Sequence, residues 1–64
     1  MYVMNPLMEA AELAVNKAEA NHAAERTSQQ WVVWRVLGEF AVRPASADRP
    51  LGAELVYETK AEGR

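Results

Sequence analysis

The chain is 64 residues long, half of them apolar and a quarter charged, with seven basic residues against nine acidic and no cysteine. That balance describes one small globular domain and excludes a second core, a disulfide scaffold and a thiolate metal centre. It also removes any bulk electrostatic pull toward nucleic acid or anionic lipid.

A core of this size rarely supplies more than roughly 3–5 kcal/mol of net stability, so self-association or a protein partner is the expected support. The absence of cysteine fits a cytosolic protein. No stretch approaches the roughly 18 uninterrupted apolar residues of a membrane span. The opening "MYVMNPLMEAAELA" has no basic leader and is broken by Asn5-Pro6, so it reads as neither a signal peptide nor a span.

In chain order, residues 1–4, "MYVM", are β-prone and are expected as a short first strand. Asn5 is a good N-cap, Pro6 suits the first helical position, and Glu9 and Glu12 favour the positive end of the helix dipole. A helix is expected over 6–26. At 100° per residue, Leu7, Met8, Ala10, Ala11, Ala14, Val15 and Ala18 gather on one side, and Glu9, Glu12, Asn16 and Glu19 on the other. The first set is the expected core face, continued by Asn21 and His22, where the contact should fade. "ERTSQQ" then ends the helix and turns the chain.

"WVVWRVLGEFAVRP" follows, rich in β-branched residues with a period of two, and a strand is expected over 30–43. A strand sends Trp31 and Trp34 to opposite faces. Val32, Trp34, Val36, Phe40 and Val42 share one parity, and Gly38 marks a bend or bulge midway. A change of phase there would draw Arg35 to the side of Phe40, which an apolar core would resist, so a single phase is expected. Trp34 is then the core anchor. Trp31 either folds over the helix end near Ala24 or lies open on the other face. "PASADRPLG", residues 44–52, has loop composition, and the loop is expected over 44–53. A last strand is expected over 54–60, with Leu55, Tyr57 and Thr59 inward, and residues 61–64 form a frayed tail.

These elements assemble as an α+β domain, one helix packed on a small, mainly antiparallel sheet in the order β-α-β-β. The alternative α-β-β would leave a marginal two-stranded sheet. The expected core sets Leu7, Val15 and the helix alanines against Val32, Trp34, Val36, Phe40, Val42, Leu55 and Tyr57.

Chemistry is sparse. His22 is the single histidine, near a helix C-terminus where positive charge suits the dipole, and Glu9, Glu12 and Glu19 read as a solvated helix face. No phosphate-binding glycine loop or nucleophile motif is present. Accordingly no catalytic, cofactor-binding or metal-ligating residue, no cofactor and no small-molecule substrate is expected. A partner-binding face is expected instead on the side of the sheet away from the helix, formed by Trp31, Val33, Arg35, Leu37 and Arg43 with Val56 from the return strand. Aromatic residues and arginine are enriched in interface hot spots. The partner is a protein or a second copy of the chain. Single-stranded nucleic acid stacking on Trp31 beside Arg35 and Arg43 is disfavoured by the net charge.

The order "YVM", "EAAELAVNKAEANHAAE", "WVVWRVLGEFAVRP" resembles small proteins encoded by bacteriophages and other mobile elements, and in build the small β-α-β-β phage inhibitors of host defence such as anti-CRISPR proteins. The resemblance covers residues 1 to about 44. It implies stoichiometric binding that blocks a surface on a larger host complex, and carries over no functional residue.

Overall fold

A computed structural model describes residues 6–60; the expected first strand, the frayed tail and the N-cap Asn5 lie outside them. Within them the order is α1 (Pro6–Thr27), β1 (Trp31–Val36), β2 (Glu39–Pro44) and β3 (Glu54–Glu58). One helix packs on a three-stranded antiparallel sheet of order β2-β1-β3. The α+β class and the helix-on-sheet layering are as expected from the sequence.

The helix ends as its composition dictates. Thr27 turns its Oγ1 back to the Ala23 carbonyl at 2.6 Å, and Ser28 takes a left-handed φ of 55° that stops the helix. Three residues later β1 begins, so α1 and β1 run antiparallel. The turn is pinned by the Trp31 indole, whose Nε1 donates to Thr27 Oγ1 at 2.8 Å.

The expected 30–43 strand is a hairpin. Leu37 and Gly38, with φ of 51° and 79°, form a two-residue turn in which both central residues are left-handed, the geometry that matches the twist of paired strands. Such a turn pairs residues of opposite parity: Val33 faces Val42, and Arg35 faces Phe40. The single phase expected across Gly38 is therefore corrected. Arg35 does share a face with Phe40, and the core accepts it because its charge is met. Arg35 Nη1 lies 3.0 Å from Glu9 Oε2, and its guanidinium stands 5.7 Å from the Phe40 ring centroid.

The helix lies on the side of Trp31, Val33 and Arg35, and this inverts the expected core. Val33 is fully buried beneath α1, along with Ala20, Ala23 and Ala24. Those alanines bring the C-terminal half of the helix close to the sheet, while the long Arg35 and Glu9 side chains span the gap at its N-terminal half. The helix face expected inward is outward: Leu7 is 80% and Val15 65% exposed, while Glu9 and Asn16 turn toward the sheet. Alanine stripes on both sides of α1 leave small chains on either face, and the close approach to Val33 selects the one carrying Ala20, Ala23 and Ala24.

On the opposite face Val32 and Trp34 are covered by the 45–53 connection, which carries the chain from β2 at one edge to β3 at the other. Arg49 stacks its guanidinium 5.5 Å from the Trp34 ring centroid and donates to the Ala53 carbonyl at 2.7 Å. Ala53 is buried there, and Trp34 Nε1 is buried without an acceptor. The two tryptophans do occupy opposite faces; Trp31 has one of its two expected placements, and Trp34 is not the main core anchor. Trp31 takes the position over the helix end, and Trp34 anchors a smaller cluster under the loop.

Along β3 the register shifts between Val33 and Trp34, so that Tyr57 pairs with Val33 while Leu55 pairs with Trp34. Tyr57 faces the helix, donating to Asn21 Oδ1 at 3.1 Å with Lys17 Nζ 5.3 Å from its ring centroid. Thr59 is buried beside it, accepting from the Trp31 amide at 3.0 Å. Leu55, expected inward with Tyr57 and Thr59, lies on the loop side, 45% exposed, because Val56 is the extra residue of the bulge.

Candidate interaction surface

The six residues expected to form one open face do not form it. Val33 is in the core, Trp31 is half-buried and bonded to Thr27, and Arg35 is paired with Glu9 under the helix. Arg43 pairs with Val32 on the loop face, where its Nη1 donates to the Val42 carbonyl at 2.8 Å. Val56 is half-buried in the β3 bulge. A helix covering the odd-numbered side of β1 dissolves the patch, and with it the stacking platform of Trp31, Arg35 and Arg43.

Of the six, Leu37 and Arg43 are exposed, and Leu37 is so in company. Among the described residues the large exposed apolar side chains are Leu7, Met8, Val15, Leu37, Leu51 and Leu55, and all but Val15 belong to one end of the molecule. The topology puts them there. The β1–β2 turn carries Leu37 beyond Val36, and β3 begins opposite Arg35, so the turn before it also lies beyond that end of β1. That turn is closed by the Ala53 amide donating to the Pro50 carbonyl at 3.1 Å, with Gly52 at φ 74°, and it lifts Leu51 to 99% exposure. The antiparallel helix starts at the same end with Leu7 and Met8.

Leu37 is 97% exposed and holds a left-handed backbone that a leucine adopts at a cost of about 1–2 kcal/mol. Asparagine would suit the position better on both counts.

Charge rings this end. Glu9 and Glu54 both approach Arg35, the latter at 3.9 Å from Nε, and Glu39 follows the turn directly and is exposed. Two carboxylates, Glu9 and Glu54, thus face the one guanidinium. His22, Glu12 and Glu19 are exposed along α1, and no group of three His, Cys, Asp or Glu among the described residues could hold a metal ion. Along one flank and reaching Leu37, α1 and β2 enclose an open groove of about 530 Å³ whose lining includes Asn16, Glu19, Glu39, Phe40 and Val42.

The leucine end had a partial signal in the sequence. "VLGE" and "RPLG" both place a leucine before a glycine between strand-like runs, the position where turn chemistry exposes a side chain. No family model, curated protein or solved structure matches the chain. No helix among the described residues is long and apolar enough to cross a membrane.

Proposed function

We propose that this chain is a non-enzymatic protein-interaction module that binds a protein partner stoichiometrically through its leucine end. The observation that carries this reading is the concentration of Leu7, Met8, Leu37, Leu51 and Leu55 at one end, with Leu37 held there in a strained conformation. Exposed apolar groups rimmed by charge are the usual composition of a protein-binding patch. Surface blocking of a larger complex is the form of binding such an end suits.

The test is affinity capture from a lysate of the cells that carry the protein, comparing the natural chain with Leu37→Asn/Leu51→Ser. Both substitutions lie in exposed turns and leave the core untouched. Proteins recovered by the natural chain should be lost with the double variant and retained with Glu12→Gln on the helix. Recovery of the same proteins at the same level by the double variant overturns the reading.

A further inference from the structure

The outer edge of β2 is complementary to itself. The Ala45 amide donates to the Gln30 carbonyl at 2.9 Å, which makes Gln30 and Ala45 a hydrogen-bonded pair. Alternation along an antiparallel ladder then makes Val32/Arg43, Trp34/Ala41 and Val36/Glu39 hydrogen-bonded pairs as well. The amides and carbonyls of Phe40 and Val42 therefore point away from β1, and no described strand lies on that edge. Pro44 falls at the next outward position, where its lack of an N–H costs the sheet nothing.

We infer that two copies of the chain pair through these edges, β2 against β2, antiparallel about a two-fold axis at Ala41. In that register Phe40 lies opposite Val42 of the second copy, and Val42 opposite Phe40, so each pair exchanges both hydrogen bonds and all the outward groups are satisfied. Ala41 meets Ala41 at the axis in a non-hydrogen-bonded pair, where the strands come closest and a small side chain fits. Glu39 lies opposite Arg43 on either side of the axis, a cross-strand ion pair formed twice. Arg43, which now donates to the Val42 carbonyl, swings to Glu39 as that carbonyl takes the Phe40 amide of the other copy. The pairing ends where Pro44 can no longer donate.

The helix layer agrees with this arrangement. Since α1 packs against both β1 and β2, two-fold pairing places the helices on the same side of the continuous sheet, about two strand spacings or roughly 10 Å apart. That is the distance of packed helices, and it closes the groove between α1 and β2. The α1 flank that lines the groove at Asn16 and Glu19 carries the exposed Val15 and Met8 on the same side. Closing it gives these two apolar side chains a partner. The turns that carry Leu37 and Leu51 lie toward opposite poles of the dimer.

The experiment uses the full chain. Multi-angle light scattering across 10 µM to 1 mM should show a monomer–dimer equilibrium. Glu39→Arg, which sets arginine against Arg43, should weaken the dimer at least tenfold, and so should Arg43→Glu. The combination Glu39→Arg/Arg43→Glu should restore it to within about threefold. Ala41→Cys, in a chain with no other cysteine, should form an intermolecular disulfide on mild oxidation far faster than Ala47→Cys in the loop. A monomer at 1 mM overturns the inference. So does a dimer that ignores the charge reversals and leaves the Ala41→Cys variant uncrosslinked, which would place the interface on another surface. Circular dichroism of each variant separates loss of pairing from loss of fold.

Discussion

Leu37 and Trp34 show how single residues are spent in this domain. A leucine at a left-handed turn position is a local conflict between sequence and backbone, and asparagine would resolve it. Leu37→Asn is therefore expected to stabilise the fold by about 0.5–1 kcal/mol, seen as a rise in Tm of roughly 3–6 °C. The same substitution should weaken partner binding, so stability and function move in opposite directions. A variant that lowers both would instead make Leu37 a structural residue. Trp34, with its buried Nε1 unpaired, marks a second conflict, under the loop and away from the helix. Arg35 is an apparent misfit in an apolar strand whose Nη1 is met by Glu9 and whose plane is met by Phe40, although its Nε, like Trp34 Nε1, is buried without a hydrogen-bond partner.

Among the elements, α1 carries the sharpest ambiguity and the sharpest test. Its residues suit two different buried faces, and the close approach of Ala20, Ala23 and Ala24 to Val33 chooses between them. Ala20→Leu should cost about 1–3 kcal/mol through overpacking, whereas Ala14→Leu, on the exposed side, should change stability by less than about 0.5 kcal/mol. Urea midpoints measured on the two variants decide the matter, and the reverse order would turn the helix over. The hairpin is the other decisive element. A two-residue turn reverses parity, so the even side of β2 joins the odd side of β1, and the side chains of β2 sit on the faces opposite to those a continuous strand would give them.

At the scale of the molecule, the fully or nearly buried side chains among the described residues are small: alanines, two valines and a threonine. Each contributes little transfer free energy, so the isolated domain rests on a thin margin. Association through β2 adds stability by mass action. Tm should therefore rise with protein concentration for the natural chain, while Glu39→Arg should melt at a temperature that no longer depends on concentration. Scanning calorimetry at 20 µM and 500 µM reads this directly, and equal slopes for the two proteins would remove β2 pairing as a source of stability.

Much of the fold was legible before any coordinates. Alanine, leucine and glutamate without internal glycine or proline specify the helix to within one residue of its end, and valine-rich runs specify strands against helix. Proline and glycine mark the loop between 44 and 53, and parity alone requires that the two tryptophans separate. These are properties of local chain geometry, which each short segment carries by itself. Which tryptophan faces the helix, which side of α1 is buried, and the company Arg35 keeps were decided only by tertiary structure. The reason is that each depends on a distant partner: Leu37 adopting a left-handed turn that leucine disfavours, Glu9 reaching Arg35 from 26 positions away in the chain, and a single extra residue at Val56 changing the phase of β3. The expected binding face was lost because α1 covers the side of β1 that carries Trp31, Val33 and Arg35. The exposed leucines collect elsewhere, where two chain turns and the start of α1, none adjacent in sequence, are gathered at one end of the sheet.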